Sequence, residues 1–109
     1  MEKKIETESP LVCNLKVMDA EQRNRHQVVT KQLRQAVREI YELSNGYAFR
    51  CPPDASTTLL AAEFMTLERL CCPFLDFALE IERNGGPVWL RVTGREGVKQ
   101  FLRAEFGLE

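Results

Sequence analysis

Nothing in this sequence of 109 residues approaches the ~20 consecutive apolar residues that a membrane-spanning helix needs, and the N-terminal MEKKIETESP lacks the apolar core of an export signal. The expected address is the cytoplasm, with no membrane partner. An excess of charge is missing too: 15 basic residues stand against 16 acidic ones, which removes the basic field that nucleic-acid binding relies on. No glycine-rich phosphate loop is present, since "TGREG" is explained by helix capping, and no repeats or low-complexity tracts interrupt the chain. Histidine is nearly absent. The single His26 has no sequence feature tying it to a cysteine, so it reads as an ordinary helix-face residue and no Cys-His catalytic pair follows. The C-x-x-C spacing of zinc knuckles is also missing.

What is present supports one folded domain. The chain is 44% hydrophobic and 28% charged, a globular balance. Residues 1 to 10 are polar, end in Ser9-Pro10 and carry no periodicity, so they read as a flexible leader before a single domain over 11 to 109. Four cysteines occur, Cys13, Cys51, Cys71 and Cys72, and in a reducing compartment they are expected as thiols.

Periodicity supplies the elements. "LVCNLKVM" alternates, which predicts a first strand with Leu11, Cys13, Leu15 and Val17 facing inward. Asp19 and Gln22 have capping-box spacing, and Val29, Leu33, Val37, Ile40 and Leu43 form a helical stripe that closes before Asn45-Gly46, read as a left-handed end cap. "YAFRCP" predicts a second strand that Pro52-Pro53 ends. A helix capped by Asp54 or Ser56 then runs to Cys72, with Pro73 closing it. "FLDFALEIE" and "PVWLRVT" flank Asn84-Gly85-Gly86 as a hairpin, and Thr93 with Glu96 has capping-box spacing for a last helix. The order β-α-β-α-β-β-α makes an α+β two-layer sandwich, a four-stranded, mostly antiparallel sheet with three helices. Its outer face would show Met18, Ala78 and Trp89, and a tryptophan on an uncovered sheet face suggests a homodimer.

The stretch "ERLCCPF" holds the candidate site. Successive helical residues turn by about 100°, which would send Cys71 into the apolar arc and leave Cys72 at its edge, with Glu68 one turn earlier on the same flank. A bridge between the neighbours is disfavoured, because adjacent Cα atoms lie about 3.8 Å apart whereas ordinary bridges span about 4.4 to 6.8 Å. An inward Cys13, or Cys51, could bring a third sulfur. Cys13, Cys71 and Cys72 are therefore candidate ligands for a soft or borderline ion such as Zn, Cu(I), Hg or As, with Glu68 as a weak or outer ligand. A helix C-terminus disfavours a thiolate, which Arg69 or the ion would offset. The plainer alternative makes Cys13, Cys51 and Cys71 buried small hydrophobes and Glu68 and Arg69 solvated charges. A third reading is a thiol-redox enzyme or sensor with Cys72 as nucleophile and Cys13 as resolving thiol.

With "ERLCCPF", "NGYAFR" and "GGPVWLRVTGREGVKQFL" in view, the chain resembles a family of small, largely uncharacterised bacterial proteins. These carry an inward cysteine on a first strand, an E-R-x-C-C-P-F segment and a following hairpin that ends in V-T-G. The resemblance covers about residues 11 to 106. It singles out Cys13, Glu68, Arg69, Cys71, Cys72, Pro73 and Phe74, leaves Cys51 structural, and implies a link to heavy-metal stress, mercury in particular. It transfers no reaction, so binding is expected ahead of catalysis.

Overall fold

The computed structural model describes residues 10 to 108, so the expected leader over 1 to 10 falls almost wholly outside the described residues. A short 3-10 turn, Leu15–Val17, precedes α1 (Ala20–Ala36), β1 (Glu39–Leu43), β2 (Gly46–Cys51), α2 (Ala55–Cys71), β3 (Asp76–Ile81), β4 (Val88–Thr93) and α3 (Val98–Phe106). The four strands form one antiparallel sheet in the order β1-β2-β4-β3. Three helices and this open sheet give the expected α+β architecture. None of the described helices is long and apolar enough to cross a membrane.

The core lies between the helices and one sheet face. Cys51 opposes Val88, Phe49 opposes Leu90 and Tyr47 opposes Val92, so β2 and β4 present these side chains together. Phe77, Leu79 and Ile81 of β3 continue the same rows, although Ile81 at the end of its strand is exposed rather than inward. Phe64 and Leu67 of α2, Val29 and Leu33 of α1, and Val98 and Leu102 of α3 close over that face. The other face is dressed with charge: Arg50 pairs with Glu39 and Arg91 with Glu80. Trp89 is half-buried there, donating Nε1–H to Glu82 at 2.8 Å and lying against Tyr41 at 5.6 Å between ring centroids.

Caps read from the sequence are present at two helices. Asp19 accepts from the Gln22 amide at 2.7 Å while the Gln22 side chain accepts from the Asp19 amide at 3.0 Å, and Asp54 accepts from the Thr57 amide at 2.7 Å. That last contact holds the Asp54 carboxyl below its usual range.

Four local expectations are corrected. The segment around Cys13 is no strand: Asn14 caps the 3-10 turn by accepting from the Lys16 amide at 3.1 Å, an Asx turn that breaks the extended run. Met18, expected on the outer sheet face, is 1% exposed and belongs to the core. The first helix stops at Ala36, and residues 39 to 43 become the edge strand β1; Ser44-Asn45 is a hairpin loop rather than part of a helix end. A Cβ on Gly46 would stand 2.1 Å from the Val92 carbonyl oxygen, so its glycine serves close strand approach. Finally, α3 begins on Gly97 at φ 96° with no side-chain cap, because Thr93 is still paired inside β4.

Candidate metal and thiol centre

The C-terminus of α2 builds the site. Phe64, Glu68, Cys71 and Cys72 fall at i, i+4, i+7 and i+8, and all four are buried. Cys72 was expected at the margin of the apolar arc but is 1% exposed. The cause is Pro73, whose ring disfavours the α conformation in the residue before it. Cys72 accordingly leaves the helix at φ −125°, ψ 70°, while its amide still donates to the Glu68 carbonyl at 2.8 Å. Its side chain is thereby freed from the 100° helical rotation, and both neighbouring sulfurs face inward.

The N-terminal segment delivers the third sulfur. The Asn14 amide donates to the carbonyl oxygen of Cys71 at 2.8 Å, satisfying one of the acceptors that every helix C-terminus leaves open. This bond docks residues 11 to 14 across the end of α2 and puts Cys13 against Cys72. The two form a disulfide with Cα atoms 4.7 Å apart. The expectation of four free thiols is thus corrected. Cys51 and Cys71 remain free and buried, Cys51 packing in the core far along the chain from the doublet.

Glu68, expected as a weak or outer ligand, lies in this environment. It is only 4% exposed, ruling out the alternative of a solvated charge. The Cys71 thiol donates to Glu68 Oε1 at 3.3 Å, and Cys72 Sγ touches the same oxygen at 3.2 Å. Cys71 Sγ and Cys72 Sγ are 3.7 Å apart. Burial, reinforced by the Glu68 carboxylate, pushes the Cys71 thiol up to about 12. It is a protected, protonated thiol.

His26 joins the site from α1, which sequence reasoning missed. Its Nε2 lies 3.5 Å from Glu68 Oε1, close enough to interact with the charge but outside hydrogen-bonding geometry, so Nε2 is buried without a hydrogen-bond partner. The ring stacks on Phe64 at 6.2 Å. One signal was available: His26, Val29 and Leu33 share a helical face, so an inward ring was readable from spacing. Its meeting with Glu68 depends on how α1 packs against α2.

One ligand atom from each of Cys13, Glu68, Cys71 and Cys72 lies within 4.8 Å of all the others, a group that could hold a metal ion. Sulfurs about 2.3 Å from a tetrahedral ion would stand about 3.8 Å from one another. The Cys71–Cys72 separation of 3.7 Å already meets that spacing. Cys13 and Cys72 meet it only once their bond is reduced. Compared with protein-family models, curated proteins and solved structures, the chain gives no match in any of the three.

Proposed function

We propose that the protein is a thiol-based binding protein for a soft metal or metalloid ion, opened by reduction. The observation that carries this reading is the convergence of three sulfurs and one buried carboxylate from two separate segments on a single point. Three thiolates and one carboxylate oxygen are a donor set that favours Zn(II), Cu(I), Hg(II) or As(III) over hard cations. In a reducing compartment such as the cytoplasm the Cys13–Cys72 bond opens and supplies two of the donors. Cys71 is the third, its proton being displaced by the ion, and Glu68 either completes the coordination or accepts that proton. The resemblance to proteins of heavy-metal stress makes Hg(II) and As(III) the first ions to test.

Phosphine-reduced protein titrated with Hg(II), As(III) or Zn(II) should bind one equivalent, followed by sulfur-to-metal absorption for Hg(II). Binding should weaken strongly in Cys71→Ser, Cys72→Ser and Cys13→Ser and be lost in the oxidised protein. An absence of stoichiometric binding at micromolar protein overturns the reading.

The Cys13–Cys72 disulfide favours a second reading, a redox sensor whose output is docking or release of the N-terminal segment from α2. Equilibration in glutathione buffers, read by intact mass, separates the two. A sensor titrates near the potential of its compartment; a bond that stays closed at every poise reached there is structural.

A further inference from the structure

Beside the disulfide lies an open cleft of about 460 Å³ between α1, α3, the N-terminal segment and the end of α2, where Glu68 and Cys71 line it. Cys13 lines it and is half-buried, whereas Cys72 is 1% exposed behind it. One wall is a ladder on α1: His26, Thr30 and Arg34, four residues apart, all reach the cleft. Thr30 Oγ1 is buried there without a hydrogen-bond partner, and His26 Nε2 is buried with only the 3.5 Å approach to Glu68 Oε1. The Arg34 guanidinium is anchored by donating to the Phe106 carbonyl at 2.6 Å, and Glu105 faces the cleft from α3. A buried polar atom left unpaired is costly, so Thr30 Oγ1 one turn from the Arg34 guanidinium marks a place built for a polar ligand.

We infer that this cleft receives a low-molecular-weight zwitterionic thiol, its carboxylate at Arg34 and its ammonium at Glu105, and that this thiol reduces the disulfide by attacking Cys13. The inference rests on the redox-opened site proposed above and names its reductant. The incoming thiolate bonds to Cys13 Sγ while the Cys13–Cys72 bond breaks and its electron pair leaves on Cys72 Sγ. A second thiolate then attacks the small molecule's sulfur, releasing its symmetric disulfide and Cys13. Two electrons pass from two small thiols to the protein, and the two protons they shed end on Cys13 and Cys72. Cys13 is therefore the sulfur that carries the mixed disulfide and Cys72 the leaving group, whereas the sequence-based expectation had Cys72 as the reacting sulfur and Cys13 as its resolving partner.

The test reduces the oxidised full chain with glutathione, with cysteamine, which has no carboxylate, and with 3-mercaptopropionate, which has no ammonium, each rate per thiolate being divided by that of the same thiol on an unstrained small disulfide to remove differences in nucleophilicity. Glutathione should be faster than either by about fivefold, the range one partly exposed charge pair supplies. Arg34→Ala should erase its advantage over cysteamine, Arg34→Lys should retain much of it, and Glu105→Gln should erase its advantage over 3-mercaptopropionate. In oxidised glutathione, Cys72→Ser should become glutathionylated on Cys13 about tenfold faster than Cys13→Ser does on Cys72, because attack requires access to the sulfur. Equal normalised rates for the three thiols, or a mixed disulfide formed as readily on Cys72, overturn the inference. Metal titration of phosphine-reduced protein bypasses the cleft, so a failure here is distinguishable from a failure of the metal-binding reading.

Discussion

Reducing the Cys13–Cys72 bond should destabilise the fold by about 4 kcal/mol, and a bound ion should restore much of that loss. The sequence separation of 59 residues sets the first figure. Loop-closure entropy for a ring of that size amounts to about 14 cal/mol/K in the unfolded chain, hence about 4 kcal/mol at 25 °C. For a chain of 109 residues this corresponds to a fall of about 15 to 20 °C in Tm. An ion that binds only the folded, reduced protein adds about 2.7 kcal/mol when its free concentration is a hundredfold above Kd. The assay is urea unfolding by far-UV circular dichroism on oxidised protein, phosphine-reduced protein, and reduced protein with Zn(II) or As(III). Cys13→Ser should resemble the reduced form and respond less to the ion, because it also lacks a donor. A reduced form within about 1 kcal/mol of the oxidised one would refute the claim that the bond chiefly restricts the unfolded chain.

The Cys71 thiol should resist iodoacetamide in oxidised protein: a shift from 9.0 to about 12 leaves about a thousandth of the thiolate an unperturbed thiol has at pH 8, and alkylation at a near-normal rate would contradict the burial described. Because that thiol keeps its proton longer folded than unfolded, its stabilising contribution is complete below about pH 9 and is lost as pH rises towards 12, by up to about 1.4 kcal/mol per pH unit in denaturant titrations. Glu68→Gln removes the negative charge while keeping an acceptor for the thiol, so Cys71 alkylation in the same assay should accelerate; burial, the larger cause, keeps it slower than in the unfolded chain. Gly46→Ala should cost about 2 to 3 kcal/mol in urea unfolding, since its Cβ would meet the Val92 carbonyl oxygen at 2.1 Å and the backbones of β2 and β4 must part.

Where local chemistry dominates, the elements were legible. The Asp19–Gln22 box, the Asp54 cap and the alternation in "PVWLRVT" each act within a few residues, and each is present. Reading failed where two local signals competed. Ile40 and Leu43 fit a helical stripe, but "EIYEL" pairs with β2 through a two-residue loop, and the ladder prevailed. "LVCNLKVM" alternates as a strand would, yet all four strands of the sheet lie elsewhere and Asn14 turns the chain.

The site divides along the same line. By itself the sequence determined that two cysteines end a helix, that Pro73 stops it and that Glu68 shares their flank, because helix spacing and proline's ring act locally. Pro73 also held an unread consequence, the inward turn of Cys72. Only the tertiary structure decided that Cys13 reaches Cys72 across 59 residues, that His26 reaches Glu68 across the α1–α2 contact, and that a cleft opens beside Cys13. Those meetings depend on how helices pack and where a terminal segment finds its hydrogen-bond acceptor, here the Cys71 carbonyl, and no spacing along the chain encodes such a distance.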